Sequence, residues 1–380
     1  MTKPWESYQG IYIHIPFCVQ KCNYCDFASY KVSSRDVMEA YVNRLVAEIE
    51  EKDITVPVAE GATLYFGGGT PSVLPVDLLE KVVQALMAKT LWNHPKEVTL
   101  EANPGTVNRA KLQAYRDLGI NRLSLGIQSF QDAELRRMGR IHTAEKARET
   151  IAMAREAGFL HINGDLIYGY PGQTVESVQD SLEQLLSTGV DHISVYGLTV
   201  EKGTPLEKQL TTQALYLPDD DTTGDMYDCI MSCLLKAGYE RYEISNFARP
   251  GHASRHNQVY WHYNPYLAFG AAATGFDGKR RYTNPATIEA YSSGKAPEEE
   301  VLTDQEREEE LVFMSLRTAK GLSLAEFQER VGKSFRDEYG PALAHCLAQG
   351  WLIERKGRVS PTALGMRYGN LLFEAFLQGT

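Results

Sequence analysis

Between residues 11 and 198 one pattern recurs six times, a short apolar run followed by a turn and, in most repeats, a helix-length amphipathic stretch. The apolar runs lie at 11–15, 62–66, 97–101, 122–126, 159–167 and 192–198. Helical periodicity occupies 35–50, 78–91, 109–118, 144–157 and 175–186. In the first of these stretches Val37, Tyr41, Leu45 and Ile49 recur every four residues, which predicts one buried face. Strands joined through helices form a parallel sheet, because a parallel crossover needs a return of helix length. An open doubly wound sheet and a barrel both satisfy the pattern. Both place chemistry at the C-terminal ends of the strands.

The chain has 380 residues, which leaves room for a second unit beyond the repeats. With 39 basic and 49 acidic residues the net charge is −10, which gives no general reason to hold a nucleic-acid backbone. There is no apolar run of about 18 residues, so no spanning helix is expected. The first residues lack the basic stretch and apolar core of a secretion signal. Six cysteines in a chain of this length do not make a disulfide framework.

Beyond residue 205 the pattern changes. Asp219, Asp220 and Asp221 mark a loop, 223–237 a helix and 239–244 a strand. Residues 246–285 are expected to be loop and short strands lying against the barrel. The eight acidic residues between 298 and 310 read as a solvated helix face or helix start. Residues 301–378 read as helices, a hairpin around Gly357 and a final helix, the pattern of a winged-helix-like unit in a structural or docking role. The expected divisions are 1–205 for the repeating core, 206–300 for a linking α+β segment and 301–380 for the C-terminal unit.

The densest chemistry is Cys18-x3-Cys22-x2-Cys25, directly after the first strand. Soft thiolates suit iron–sulfur clusters and zinc. A structural zinc site takes four protein ligands, whereas three thiolates on a [4Fe–4S] cluster leave one iron open. Cys229 and Cys233, four apart on one helix, and Cys346 are expected to be core residues. Gly67-Gly68-Gly69-Thr70-Pro71 follows the second strand and allows close backbone approach. No Gly-Lys-Ser/Thr follows it, so it is not a phosphate loop.

The cysteine spacing resembles the signature of the radical S-adenosylmethionine enzymes. That resemblance implies a partial (β/α)6 barrel and a [4Fe–4S] cluster held by Cys18, Cys22 and Cys25. The open iron would take the amino and carboxylate groups of S-adenosylmethionine, and reduction would cleave that cofactor to methionine and a 5′-deoxyadenosyl radical. The coproporphyrinogen dehydrogenase, or HemN-like, branch is similar at further positions. Tyr12 precedes the cluster loop and Tyr24 lies inside it. Glu101 stands in Glu-Ala-Asn-Pro, Gln128 in Leu-Gly-Ile-Gln-Ser-Phe, Arg140 in Gly-Arg-Ile-His and Asp165 in Asn-Gly-Asp-Leu. The resemblance implies that these residues, with Gly68, Gly69 and Thr70, contact S-adenosylmethionine.

Phe27 departs from the dehydrogenases, which carry a fourth cysteine two residues past the third. The lead segment before the first strand is also shorter than theirs. His256-Asn-Gln-Val-Tyr260-Trp261 matches the H-N-x-x-Y-W signature of HemW-type haem chaperones. This second resemblance implies haem binding with His256 as an axial ligand, or His252 or His262 in its place, and Tyr260 and Trp261 beside the porphyrin. A packed loop, with His256 hydrogen-bonded and the two aromatics filling core, accounts for the same residues. The resemblance further implies transfer of haem to apoproteins such as membrane respiratory enzymes, a homodimer, and a cytoplasmic protein working at the membrane without spanning it. The competing expectation is oxidative decarboxylation of coproporphyrinogen III to protoporphyrinogen IX.

Overall fold

The computed structural model describes residues 3–32, 34–54, 56–90 and 95–377. The last residue of the helix expected over 78–91 and the end of the one expected up to 378 lie outside them. Six parallel strands are present: β1 (Tyr8–Ile15), β2 (Val58–Gly68), β3 (Val98–Ala102), β4 (Arg122–Gln128), β5 (His161–Tyr168) and β6 (His192–Gly197). The helices α1 (Arg35–Glu51), α2 (Val76–Thr90), α3 (Arg109–Asp117), α4 (Ala144–Glu156) and α5 (Val175–Ser187) connect them, and α6 (Asp220–Lys236) follows β6. Asn108, Thr143, Thr174 and Asp219 start their helices by accepting a backbone N–H three residues ahead.

The strands pair in chain order, β1 to β6, each parallel to the next. A doubly wound sheet would reverse its order part-way. Here the helices α1 to α6 pack on the one apolar face of the strands, an arrangement that fits a partial barrel. Ile11, Ile13, Ile15, Leu64, Phe66 and Leu100 share a buried cluster with Tyr41, Leu45, Leu78 and Val82 of α1 and α2. The opposite face of the same strands carries Gly10, Tyr12, Thr63, Tyr65 and Glu101, so the barrel interior is polar and aromatic. On α1 the buried face is Met38, Tyr41, Val42, Leu45 and Ile49, while Val37 is exposed.

The segment expected as loop contributes more than that. Its helix α7 (Arg255–Trp261) is followed by β7 (Tyr266–Phe269), which pairs parallel with β1 as a seventh parallel strand. Leu267, Ala268 and Phe269 are fully buried, so β7 has no alternation to reveal it. Helix α7 spans only two turns and presents His, Asn and Gln, too short a run for a helical period. The strand expected over 239–244 shrinks to Glu240–Arg241, because Tyr242 N–H already turns back to the Asn246 carbonyl and Glu243 bridges to Thr318. Antiparallel strands extend both edges, and no pairing joins those edges among the described residues.

The C-terminal region has its own core of Phe327, Phe335, Tyr339, Leu343, Cys346, Val359 and Phe376. Its order is helix Asp304–Leu316, strand Leu322–Ser323, helices Leu324–Val331 and Phe335–Ala348, then the hairpin Leu352–Arg355 and Arg358–Pro361. The acidic stretch divides into the exposed edge strand Glu298–Val301 and the start of the helix after it. Cys346 is buried as expected. Cys229 and Cys233 are half-buried instead of fully enclosed, Cys233 packing against the main core, with the sulfurs 4.0 Å apart.

Candidate cofactor site

At the C-terminal strand ends lies a cavity of about 480 Å³. Cys18, Cys22, Cys25 and Tyr24 form one wall, and Gly68, Gly69 and Thr70 the end of β2. Glu101, Gln128 and Asp165 come from β3, β4 and β5, and Arg140 from the loop after β4. Six successive segments thus supply one site, as a curled parallel sheet dictates.

The cysteine loop is held from both sides. Thr70 Oγ1 donates to Cys18 Sγ at 3.5 Å, and Arg140 Nη1 donates to Cys22 Sγ at 3.3 Å. Asn23 donates to the Arg137 carbonyl, tying the loop to the far side of the cavity. Burial pushes the Cys18 and Cys25 thiols up, against weaker help from hydrogen bonds. Among the described residues, one trio of His, Cys, Asp or Glu has ligand atoms all within 4.8 Å of one another, and it is not these cysteines. One tetrahedral zinc ion would need sulfurs about 3.8 Å apart, from its Zn–S bonds of about 2.3 Å. The wider spread suits a larger cluster.

The glycines are required by contact. Gly68 has φ +110°, and a Cβ there would lie 2.5 Å from the His14 ring. A Cβ on Gly69 would stand 2.8 Å from the Phe17 carbonyl oxygen. This seats β2 against the cluster loop, and Gly68 N–H donates to Glu101 Oε2 at 3.1 Å.

The charged groups are under-compensated. Burial lifts Glu101 to about 7, helped by the charge of Asp165 and eased by the hydrogen bond from Tyr65, 2.7 Å long. Burial likewise lifts Asp165 to about 6, eased by hydrogen bonds that include Asn163 Nδ2 at 2.6 Å. Two buried carboxylates with raised pKa values favour a ligand carrying positive charge. Gln128 has φ 71°, an unusual conformation for a non-glycine residue, at a register shift in β4. Its buried Oε1 has no hydrogen-bond partner among the described residues, and the residue lines this cavity. Arg140 donates to Asn103 Oδ1 at 2.6 Å and to the Gly126 carbonyl, which fixes its guanidinium plane beside Cys22. The donor set fits S-adenosylmethionine, whose cationic and carboxylate groups match the Glu101–Asp165 pair and Arg140.

Not every expected residue lines the cavity. Tyr12 sits a layer deeper, its hydroxyl 3.0 Å from His14 Nδ1 and its ring stacked on Tyr65. His256, Tyr260 and Trp261 lie towards the N-terminal ends of the strands. His256 is fully buried, with Nδ1 2.7 Å from Thr63 Oγ1, Nε2 2.8 Å from Tyr260 OH and its ring stacked on Tyr65. Burial lowers it to about 3, so it is a neutral imidazole with both nitrogens engaged. Without haem, both ring nitrogens are given to hydroxyl partners. Tyr260 packs edge-on against Tyr266, and Arg317 covers the Trp261 ring at 4.8 Å. The packed alternative for this motif describes what is seen, on a helix instead of a loop. Glu97 caps that helix, accepting from His256 N–H at 2.9 Å and Arg255 N–H at 3.1 Å, and is itself paired with buried Arg122.

Residues not singled out from sequence complete the site. Asn103 connects Thr70 to Arg140, and Tyr196 of β6 lines the cavity. Their position just past or at the end of a predicted strand was the available signal.

Residues 12–185 match the model of the radical SAM superfamily, and residues 302–368 match the HemN C-terminal domain. The heme chaperone HemW of Lactococcus lactis is 36% identical over 370 residues, covering 96% of each chain. That of Escherichia coli is 33% identical over 374 residues, covering 97% of this chain and 98% of its own. The chain belongs to the HemW family of the radical SAM superfamily. Its fold is also that of the solved coproporphyrinogen III oxidase HemN of Escherichia coli, with a TM-score of 0.85 over 98% of this chain and 91% of that one. At 23% identity that likeness speaks for the fold alone. No helix of the described residues is long and apolar enough to cross a membrane.

Proposed function

We propose that this chain binds haem and hands it intact to haem-dependent apoproteins, with membrane respiratory enzymes as a natural class of acceptor. The observation that carries the reading is identity of 33–36% to HemW chaperones along nearly the whole chain. Phe27 supports it. This side chain is 64% exposed at the rim of the cavity, two residues past Cys25, where the dehydrogenase pattern has a cysteine.

In this reading Cys18, Cys22 and Cys25 hold a [4Fe–4S] cluster, and the cavity beside them takes S-adenosylmethionine. The cluster and cofactor together supply one-electron reductive chemistry when bound. The chain's own part is positional. Arg140 holds a carboxylate near Cys22, Glu101 and Asp165 face the cationic groups, and Gln128 offers its unused acceptor. The Gly68–Gly69 backbone lines the same cavity, with its two N–H groups given to Glu101 and to the Ile15 carbonyl. The partition into residues 1–205, 206–300 and a winged-helix-like unit at 301–380 belongs to this reading. So do a homodimer and a cytoplasmic place of work at the membrane surface.

The test is anaerobic reconstitution followed by haem titration and transfer. Stoichiometric haem that passes unchanged to an apo-cytochrome supports the proposal. Conversion of coproporphyrinogen to protoporphyrinogen by the same sample would overturn it.

A further inference from the structure

We infer a second metal site, unconnected with the cysteine loop, formed by His161, Asp191 and His252 at the opposite end of the barrel. His161 begins β5, four residues before Asp165. At about 3.3 Å per residue it stands roughly 13 Å from the cavity end of the same strand. Asp191 precedes β6, and His252 lies in the turn leading into α7.

The donors converge as a tetrahedral ion requires. His161 Nδ1 and His252 Nδ1 are 3.2 Å apart, and His252 Nδ1 is 3.4 Å from Asp191 Oδ1. All three ligand atoms lie within 4.8 Å of one another. Bonds of about 2.0–2.1 Å to zinc imply ligand atoms roughly 3.3 Å apart along a tetrahedron's edge. The two rings are tilted at 58° with centroids 5.0 Å apart, and their Nδ1 atoms face each other.

The remaining contacts orient the set. Asp191 is 4% exposed, and its other oxygen accepts Ile162 N–H at 2.7 Å, leaving Oδ1 for the shared point. Arg122 Nη2 donates to the His252 carbonyl at 2.7 Å and fixes that turn. Both histidines are half-buried, so solvent reaches the trio. Burial and Arg122 lower His161, which keeps its ring neutral and able to ligate. Two cations are near. Arg122 is neutralised by Glu97 at 3.0 Å. Arg155 touches Asp191 Oδ1 at 3.4 Å but is held by the carbonyls of Phe159, Leu160 and Gly189 at 2.9–3.0 Å. Giving up that long contact leaves its other bonds in place.

Two imidazoles and a carboxylate suit a borderline divalent ion, zinc above all. Bound there, it would clamp the turn at His252 to β5 and β6, and so fix the entry to the helix that carries His256.

The test is zinc binding by the full-length chain with Cys18→Ser, Cys22→Ser and Cys25→Ser, so that thiolates do not compete. One zinc per chain is expected to survive gel filtration. His161→Gln or His252→Gln in that background is expected to weaken binding at least tenfold. Zinc-edge X-ray absorption of the cluster-loaded wild type gives a reading that needs no variant, with nitrogen and oxygen neighbours expected. No retained zinc, retention indifferent to both histidines, or sulfur neighbours in the loaded wild type would reduce the trio to a hydrogen-bonded cluster. None of these outcomes depends on haem.

Discussion

Glu101 offers the sharpest quantitative check on the cofactor site. Its carboxyl rises from an ordinary 4.5 to about 7 because it is buried beside Asp165 without a cation. A raised folded-state pKa means that the folded chain binds the proton more tightly than the unfolded chain. The associated stability is complete below about 4.5 and is lost as pH rises through 7. At about 1.4 kcal/mol per pKa unit, the wild-type chain without ligands loses about 2.5 kcal/mol from this group between pH 5 and pH 8. Glu101→Gln removes the titration. Its amide oxygen still accepts from Tyr65, but the amide nitrogen faces Gly68 N–H, a mismatch of about 1 kcal/mol at every pH. The variant should therefore be slightly less stable than wild type at pH 5 and more stable at pH 8. Urea unfolding of both proteins, followed by intrinsic fluorescence across that range, reads the difference directly. A stability difference that stays constant with pH would refute the claim that the cavity holds an uncompensated carboxylate. S-adenosylmethionine, if it supplies the missing positive charge, should stabilise wild type more at pH 8 than at pH 5.

Other expectations follow from single contacts. Arg122→Met leaves Glu97 buried and unpaired at the cap of α7, and should cost about 3–5 kcal/mol in chemical unfolding. His256→Ala removes a stacked ring and the partner of the Tyr260 hydroxyl, and leaves Thr63 only its long bond to the Gln9 carbonyl, with a loss of about 2–4 kcal/mol in urea unfolding. The same variant should keep the wild-type haem stoichiometry; loss of haem from a folded His256→Ala protein would return His256 to the role of ligand. Gly68→Ala forces a Cβ onto the His14 ring at positive φ and should destabilise by about 1–3 kcal/mol in a thermal melt. Cys22→Ala should leave the melt nearly unchanged while abolishing iron and sulfide uptake, read by elemental analysis.

Much of the site was legible because its residues occupy strand ends. The run Ala62 to Phe66 followed by three glycines announces both β2 and the close approach to the cluster loop. Glu101, Gln128 and Asp165 were found by the same logic, and they do meet in one cavity. Sequence could not show that strand order follows chain order, which alone separates a curled sheet from a doubly wound one. Strand β7 was hidden because burial on both faces removes alternation. His256 was open to two readings for a related reason. A histidine surrounded by aromatics carries the same sequence signal whether it awaits a ligand or fills an interior. Its partners Thr63 and Tyr65 come from a strand almost two hundred residues earlier, which no local motif reveals. The His161–Asp191–His252 trio has no linear motif at all, since three separate connections bring it together.

The central claim is that this chain carries haem without altering it. The most direct measurement loads the anaerobically reconstituted chain with one equivalent of haem and mixes it with an apo-cytochrome in the presence of S-adenosylmethionine. Coproporphyrinogen III is assayed in parallel. The account predicts a holo-cytochrome spectrum, haem recovered unchanged by mass, and no protoporphyrinogen. Haem retained or degraded, or coproporphyrinogen decarboxylated, would contradict it.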